Sequence, residues 1–188
     1  MEINEIWSID ELQDAWQLAT KMHDGQKYGG PNQDEQIEYI NHIGSVVFEI
    51  MTALTKEINM NSNLAIICAI LHDTIEDTNL IYDDILRRFG SEIANGVLAL
   101  TKKDTIIGKR AKMLDSLMRI KEQPKEIWAI KMADRIVNLY APPFYWTKEK
   151  KLEYLEEARL IHEELHHGNK YLGNRLANKI IEYQKYIE

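Results

Sequence analysis

A single cysteine, Cys68, leaves this chain without a partner for an internal disulfide, which fits a reducing cytoplasm. Cys68 lies inside an apolar run and reads as a small core residue, not a nucleophile. Proline and glycine are also scarce, four and nine in 188 residues, which leaves few forced turns and favours long helices. No apolar run approaches the ~20 residues that span a bilayer. The amino terminus, Met1-Glu2-Ile3-Asn4-Glu5, is acidic and lacks the apolar stretch of a secretory signal. Cationic charge is in deficit: the formal net charge is −7. That argues against nucleic acid or an anionic membrane as a partner. It leaves room for a small anionic substrate held by a local cluster of Lys and Arg, and an oligomer is compatible with the sequence.

Helical periodicity dominates what is present. A first helix starts at a cap on Ser8 or Asp10 and reaches about His23, with Leu12, Trp16 and Ala19 inward. Asp24 to Glu38 is polar and Gly-rich and reads as a loop. Further helices are expected from Tyr39 or Asn41 to Lys56, then through the apolar run behind a cap at Asn61, Ser62 or Asn63. Others follow near Tyr82–Phe89, Glu92–Leu100 and Lys109–Lys121. Pro124 suits the first turn of a helix reaching about Tyr140, and two more span about Lys148–Leu165 and Tyr171–Tyr186. No strand, repeat or linker is evident. The expectation is one all-α domain over residues 1–188, a bundle of about eight to ten helices.

The chemistry concentrates where eight apolar residues, Leu64–Leu71, run into His72-Asp73-Thr74-Ile75-Glu76-Asp77. A buried helix ending in one imidazole and three carboxylates needs compensating charge, because desolvating an unpaired carboxylate costs several kcal/mol. At helical spacing Asp73, Glu76 and Asp77 share one face. Acids at a helix C-terminus also oppose its dipole, and such a broken rule points to a site. A divalent cation resolves both conflicts. Candidate ligands are His42, His72, Asp73 and Asp134; two imidazoles and two carboxylates suit Mn²⁺, Fe²⁺ or Zn²⁺, with an octahedral hydrolytic ion favoured. Such an ion would acidify a bound water, with Glu76 and Asp77 one turn beyond to handle protons. A lone buried histidine would more simply be a satisfied core residue; the adjacent His-Asp with two further acids is what shifts the balance. The Pro124 helix is apolar nearly all round except Lys131, Asp134, Arg135 and Asn138, one stripe at i, i+3, i+4 and i+7. That stripe is either a salt-bridge network or the lining of a cavity.

Several segments together resemble the HD-domain phosphohydrolases, and especially the (p)ppGpp hydrolase domain of RelA/SpoT-type proteins and the stand-alone small alarmone hydrolases. They are His23-Asp24-Gly25-Gln26, Tyr39-Ile40-Asn41-His42, Ala69-Ile70-Leu71-His72-Asp73-Thr74-Ile75-Glu76-Asp77-Thr78 and Lys131-Met132-Ala133-Asp134-Arg135-Ile136-Val137-Asn138-Leu139. Phe89-Gly90, Leu100-Thr101-Lys102 and Lys112-Met113-Leu114 fall between them in the same order, and the resemblance covers roughly residues 15 to 160. It implies Mn²⁺ on His42, His72, Asp73 and Asp134, with Glu76 and Asp77 as the catalytic pair acting on a 3′-pyrophosphate. It also implies a nucleoside contact from Asn138. The family's Trp-x-x-x-Arg-x-x-x-Tyr has its counterpart in Trp146, Lys150 and Tyr154. Cations near Lys27, Lys131, Arg135 and Lys150 would balance phosphate, and Tyr28 and Tyr154 would flank the nucleotide. Departures are equally specific: Tyr28, beside Lys27, replaces an arginine that packs on the base, Ile43 replaces a proline, and Tyr140 stands where an arginine is usual. A tyrosine can stack on a base but supplies no charge. Two alternatives remain open at this point. One is an NADPH 2′-phosphatase or other nucleotide phosphohydrolase; the other is a binding module that senses a nucleotide or neutralises a toxin enzyme. His162, His166 and His167 have no acidic or sulfur partner at ligand spacing and read as surface.

Overall fold

A computed structural model describes residues 7–57 and 59–187; the acidic amino terminus discussed above lies outside them. The helices run α1 (Ile9–Met22), α2 (Ile40–Leu54), α3 (Ser62–Leu71), α4 (Thr74–Asp77), α5 (Tyr82–Phe89) and α6 (Ser91–Leu100). They continue as α7 (Lys109–Lys121), α8 (Lys125–Asn138), α9 (Lys148–Leu165) and α10 (Lys170–Tyr183). The all-α expectation holds. Among the described residues no helix is long and apolar enough to cross a membrane.

The apolar run is the axis of the bundle. All eight residues of Leu64–Leu71 are buried, and α3 packs on α1, α2, α6 and α8. Burying each Leu or Ile side chain fully is worth roughly 1.5–3 kcal/mol, so this segment alone anchors the core. Asn61 is the cap: its side chain accepts from Leu64 N at 3.1 Å. The second central helix is α8, buried from Glu126 to Ile136 except for Trp128. Close approach of α6 to this pair requires Gly96, where a Cβ would stand 2.6 Å from Ile127 Cδ1 and 3.1 Å from Cys68 Sγ. Cys68 is a fully buried core residue, as its sequence context indicates.

Four local expectations need correction. The segment 24–38 contains a short antiparallel ribbon, β1 (Lys27–Gly29) and β2 (Gln36–Glu38), with Tyr28 opposite Ile37. Pro124 sits at the N-cap, one position before the first turn. The helix it precedes stops at Asn138. Finally, the acidic sequence does not extend α3. The helix ends at Leu71, and α4 is a separate turn with Asp73 as its N-cap residue. Thr74 Oγ1 donates to Leu71 O at 2.7 Å and caps the break. Glu76 and Asp77 therefore lie in the first turn of a new element, where acids suit the helix dipole, and their conflict with α3 disappears.

Candidate metal centre

Three mutually packed helices supply the centre. α2 brings His42 from its first turn, the α3–α4 break brings His72 and Asp73, and α8 brings Asp134 from its buried stripe. One donor atom from each of His42, His72 and Asp134 falls within a 4.8 Å group. Asp73 abuts both rings: its Oδ2 lies 2.9 Å from His72 Nε2 and 3.6 Å from His42 Nε2. His42 Nε2 is also 3.5 Å from Asp134 Oδ1. All four residues named from sequence thus converge.

The chemistry of this donor set calls for a cation. His72 Nδ1 lies 2.8 Å from Ala69 O, and a carbonyl can only accept, so that nitrogen carries a proton and Nε2 is the ring atom turned toward Asp73. Nε2 is buried and lacks hydrogen-bond geometry to any partner despite its 2.9 Å contact with Asp73. A carboxylate oxygen and a ring nitrogen this close in a dry site need positive charge, which the proton that Asp73 favours on His72 supplies without metal and which a bound cation would supply in its place. Without metal, the charge states are those of imidazolium–carboxylate pairs. Burial favours neutral His42, yet Asp134 and Asp73 outweigh it and push the imidazole up to about 9. Burial likewise opposes ionised Asp73 and Asp134. The neighbouring His72 for Asp73, and Lys131 with His42 for Asp134, nevertheless hold both well below the usual carboxylate range. The residues present can hold a divalent metal ion, with His72 Nδ1–H donating to a backbone carbonyl as metal-binding histidines commonly do.

Surrounding groups fix these donors. Tyr39 donates its hydroxyl to Asp73 Oδ2 at 2.6 Å and lies 3.0 Å from Asp77 Oδ2. Burial and the adjacent Asp73 push that phenol upward. Asp77 is itself raised, by burial first and then by the charge of Asp73. His23 stacks on Tyr39 and shares a 2.7 Å hydrogen bond with Gln26, whose amide donates to Asp77 O at 2.7 Å. The His23–Gln26 opening is thus a buttress for the tyrosine and α4. Asn138 donates to Asp134 Oδ1 at 2.6 Å and Lys131 to Oδ2 at 2.9 Å. Arg135 pairs with Glu157 at 2.8 Å. The α8 stripe is therefore both an ion network and a cavity wall.

Two cavities meet at the centre and share Tyr39, His42, Asn138 and Tyr154. The first, about 310 Å³, contains Asp73, Asp134, Glu76 and Asp77 together with Lys102, Lys109, Lys112, Lys131, Arg135 and Lys150. The second, about 550 Å³, is walled by Tyr28, Tyr145, Trp146 and prolines 31, 142 and 143, with Asn41 and Ser45 as polar groups. No Asp, Glu, Lys or Arg lines it. Trp146, Lys150 and Tyr154 share a face as their spacing implies: Trp146 and Tyr154 are 4.3 Å apart by ring centroids, and Lys150 Nζ lies 4.8 Å from the Tyr154 ring. Lys27 is the exception among the sequence candidates. It pairs with Glu38 on the exposed ribbon at 2.8 Å and lines neither cavity. Sequence reasoning missed Lys109 and Lys112, which look like any solvated first turn until α7 packs beside α9. It also missed the ribbon glycines. A Cβ on Gly29 would stand 2.5 Å from Tyr145 Cε1, so the ribbon closes against the 139–146 segment with no room for a side chain unless that ring moves.

No family model matches the chain. Among named proteins it is 26% identical over 176 residues to guanosine-3′,5′-bis(diphosphate) 3′-pyrophosphohydrolase MESH1 of Xenopus tropicalis, covering 90% of this chain and 92% of that protein. Identity to the Homo sapiens protein of the same name is 27% over 176 residues, covering 89% and 92%. A guanosine-3′,5′-bis(diphosphate) 3′-pyrophosphohydrolase of Aquifex aeolicus (strain VF5) is 30% identical over 162 residues, covering 84% of this chain and 21% of that longer protein. A solved structure described as a metazoan ortholog of SpoT that hydrolyzes ppGpp superposes with a TM-score of 0.79. It is 23% identical and covers 96% of this chain and 98% of its own. The fold is shared with that structure, and the resemblance to small alarmone hydrolases stands in both sequence and architecture.

Proposed function

We propose that this chain is a metal-dependent hydrolase that removes the 3′-pyrophosphate of (p)ppGpp, releasing pyrophosphate and GDP or GTP. One observation carries the proposal: a cluster of His and Asp donors able to hold a divalent ion lies where a cationic cavity meets an aromatic one. A nucleotide with a 3′-pyrophosphate needs those two environments on either side of its scissile bond. The similarity to proteins named for this activity along nearly their whole length supports the same reaction.

His42, His72, Asp73 and Asp134 are the ligands in this proposal, and Mn²⁺ suits their mixed nitrogen and oxygen set. When bound, the ion supplies a water of lowered pKa and polarises a phosphoryl oxygen. Glu76 would accept a proton from the attacking water as the new O–P bond forms. Asp77, whose carboxyl is raised by burial and Asp73, protonates the departing 3′ oxygen as the P–O bond breaks. Arg135, Lys150 and the α7 lysines balance the phosphate charge, while Tyr28 and Trp146 stack on the base. Asn138 orients Asp134 and faces the nucleoside. A reducing cytoplasm is the compartment in which such a nucleotide enzyme with one buried thiol would work.

Purified protein loaded with Mn²⁺ and given ppGpp should release pyrophosphate. Orthophosphate from NADPH with ppGpp untouched would replace this proposal with a 2′-phosphatase. Binding of ppGpp without turnover, unaltered in Glu76→Gln, would replace it with a sensing module.

A further inference from the structure

Glu76 does not face the metal centre unaccompanied. The Lys102 main-chain N–H donates to its Oε2 at 2.9 Å, and the Lys102 ammonium donates to its Oε1 at 2.9 Å. One residue therefore engages both oxygens of the proposed base. The pair is only partly solvated, with side-chain exposures of 32% for Lys102 and 27% for Glu76. Burial disfavours the charged ammonium, yet Glu76 outweighs it and keeps Lys102 protonated.

The backbone half of this clamp is built on rigid structure. Lys102 directly follows Thr101, the C-cap of α6. Arg119 of α7 donates to Leu98 O, Ala99 O and Thr101 O at 2.6, 2.9 and 2.7 Å, and Asp115 fixes its guanidinium at 2.8 Å. Ser116 adds a bond to Ala99 O at 3.1 Å. The last carbonyls of α6, which a helix leaves without partners, are thus held by α7, and the next N–H is aimed at Glu76. The ammonium half is different in kind. It sits on a flexible stem in the same 310 Å³ cavity as the metal donors and the other lysines. A phosphate entering there competes with Glu76 for it.

We propose that Lys102 is a positioning residue with two separable tasks. Its N–H holds the Glu76 carboxylate in place throughout, and its ammonium leaves Oε1 for the incoming phosphate. That exchange frees Oε1 to take the water proton only when substrate is bound. The chemistry is unchanged from that given above: the water O–H bond breaks toward Glu76, the new O–P bond forms, and the 3′ oxygen departs with the proton from Asp77. This inference rests on the hydrolase proposal and adds what gates its base.

The test uses the full chain with Lys102→Met, which keeps the N–H and removes the ammonium, together with Lys102→Arg, Glu76→Gln and the Met/Gln double variant. Titration of inorganic pyrophosphate into metal-free protein reads the exchange without turnover. Lys102→Met should weaken binding about tenfold, whereas Glu76→Gln should tighten it severalfold, because the ammonium no longer has to leave a carboxylate. Steady-state kinetics with Mn²⁺ and ppGpp read the coupling. Lys102→Met should raise KM severalfold in the parent and by a larger factor in the Glu76→Gln background, where the ammonium has no carboxylate to leave, and Lys102→Arg should recover most of the loss. Equal factors in both backgrounds, or no tightening in Glu76→Gln, would overturn the handover while leaving Glu76 as the base. An unchanged rate in Glu76→Gln alone would instead remove the base itself, a different failure. Thermal midpoints of the four variants with and without Mn²⁺ identify any loss due to misfolding.

Discussion

Asp134→Asn separates the structural from the metal-holding role of the centre. Lys131 Nζ lies 2.9 Å from Asp134 Oδ2, with side-chain exposures of 7% and 10%, and among the described residues no other carboxylate is within ion-pair reach of it. Neutralising Asp134 leaves a buried ammonium uncompensated, a change that costs about 3–5 kcal/mol. Loss of the repulsion between Asp134 and Asp73 offsets part of that, so the lower end is expected. At roughly 2–4 °C per kcal/mol for a domain of this size, the metal-free variant should melt about 6–12 °C below the parent. The Asn138 contact survives, because an amide oxygen still accepts its bond. In the parent, Mn²⁺ at about 100 times its dissociation constant adds ~2.7 kcal/mol, or about 5–11 °C, and Asp134→Asn should lose that gain. Adding Lys131→Met should restore most of the metal-free stability but none of the metal response, since both partners are then neutral. Thermal unfolding of the three proteins in chelator and in Mn²⁺ provides the readout. A full Mn²⁺ shift in Asp134→Asn would strike Asp134 from the ligand set. A metal-free midpoint within about 1 °C of the parent would show that the Lys131 pair carries no stability.

Glu76→Gln should lower kcat by roughly a hundredfold or more, as loss of a general base does, while keeping the Mn²⁺ shift in melting; an unaltered kcat would exclude Glu76 from proton transfer. Gly29→Ala places a methyl 2.5 Å from Tyr145 Cε1. Tyr145 is 58% exposed and can swing away, so stability should change by less than about 1 kcal/mol. KM should rise severalfold with kcat retained, and a lowered kcat at constant KM would mean the aromatic cavity does not hold substrate. Arg175→Met strips the bidentate partner, at 2.5 Å to each oxygen, from the buried Glu49. Discounted for the partly exposed arginine, the loss should be about 2–3 kcal/mol, seen in urea unfolding, with turnover per folded molecule unchanged.

What could be read in the sequence follows the range over which each signal acts. The apolar run Leu64–Leu71 and the stripe on α8 are periodic over several turns, and both were legible as buried helices. That His42, His72, Asp73 and Asp134 cluster was legible because His72-Asp73 ends the apolar run and Asp134 belongs to the polar stripe of the other buried helix. The ribbon was not, since β1 and β2 are three residues each and only Gly29 among the six is buried; alternation cannot register over so short a span. The α3–α4 break was hidden for a related reason: His72-Asp73 continues the helical spacing, and only the Thr74 cap interrupts it. Lys109 and Lys112 depend wholly on tertiary placement. Lys27 failed in the opposite direction, because proximity to Tyr28 in sequence says nothing of direction, and strand alternation turns adjacent side chains to opposite faces.

The cleft also resolves how an acidic chain can receive a polyanion. Six cationic side chains line the smaller cavity against five carboxylates, Asp73, Glu76, Asp77, Asp134 and Glu157, so the local balance is near neutral although the whole chain carries −7. Each cation already has an acidic partner: Lys102 with Glu76, Lys131 with Asp134, Arg135 with Glu157, Lys112 with Asp104, and Lys109 and Lys150 both with Glu153. Pairing removes the desolvation cost that bare buried cations would impose on the fold. It also means that phosphate meets few bare charges: Arg135 keeps Nε and Nη1 without a partner, while each lysine must share its ammonium with a carboxylate or leave it. Such an exchange adds little net attraction by itself, and in the proposed reading a divalent ion between His42, His72, Asp73 and Asp134 would add the rest. Stability without metal and affinity with metal are then two consequences of the same interleaved acids and bases.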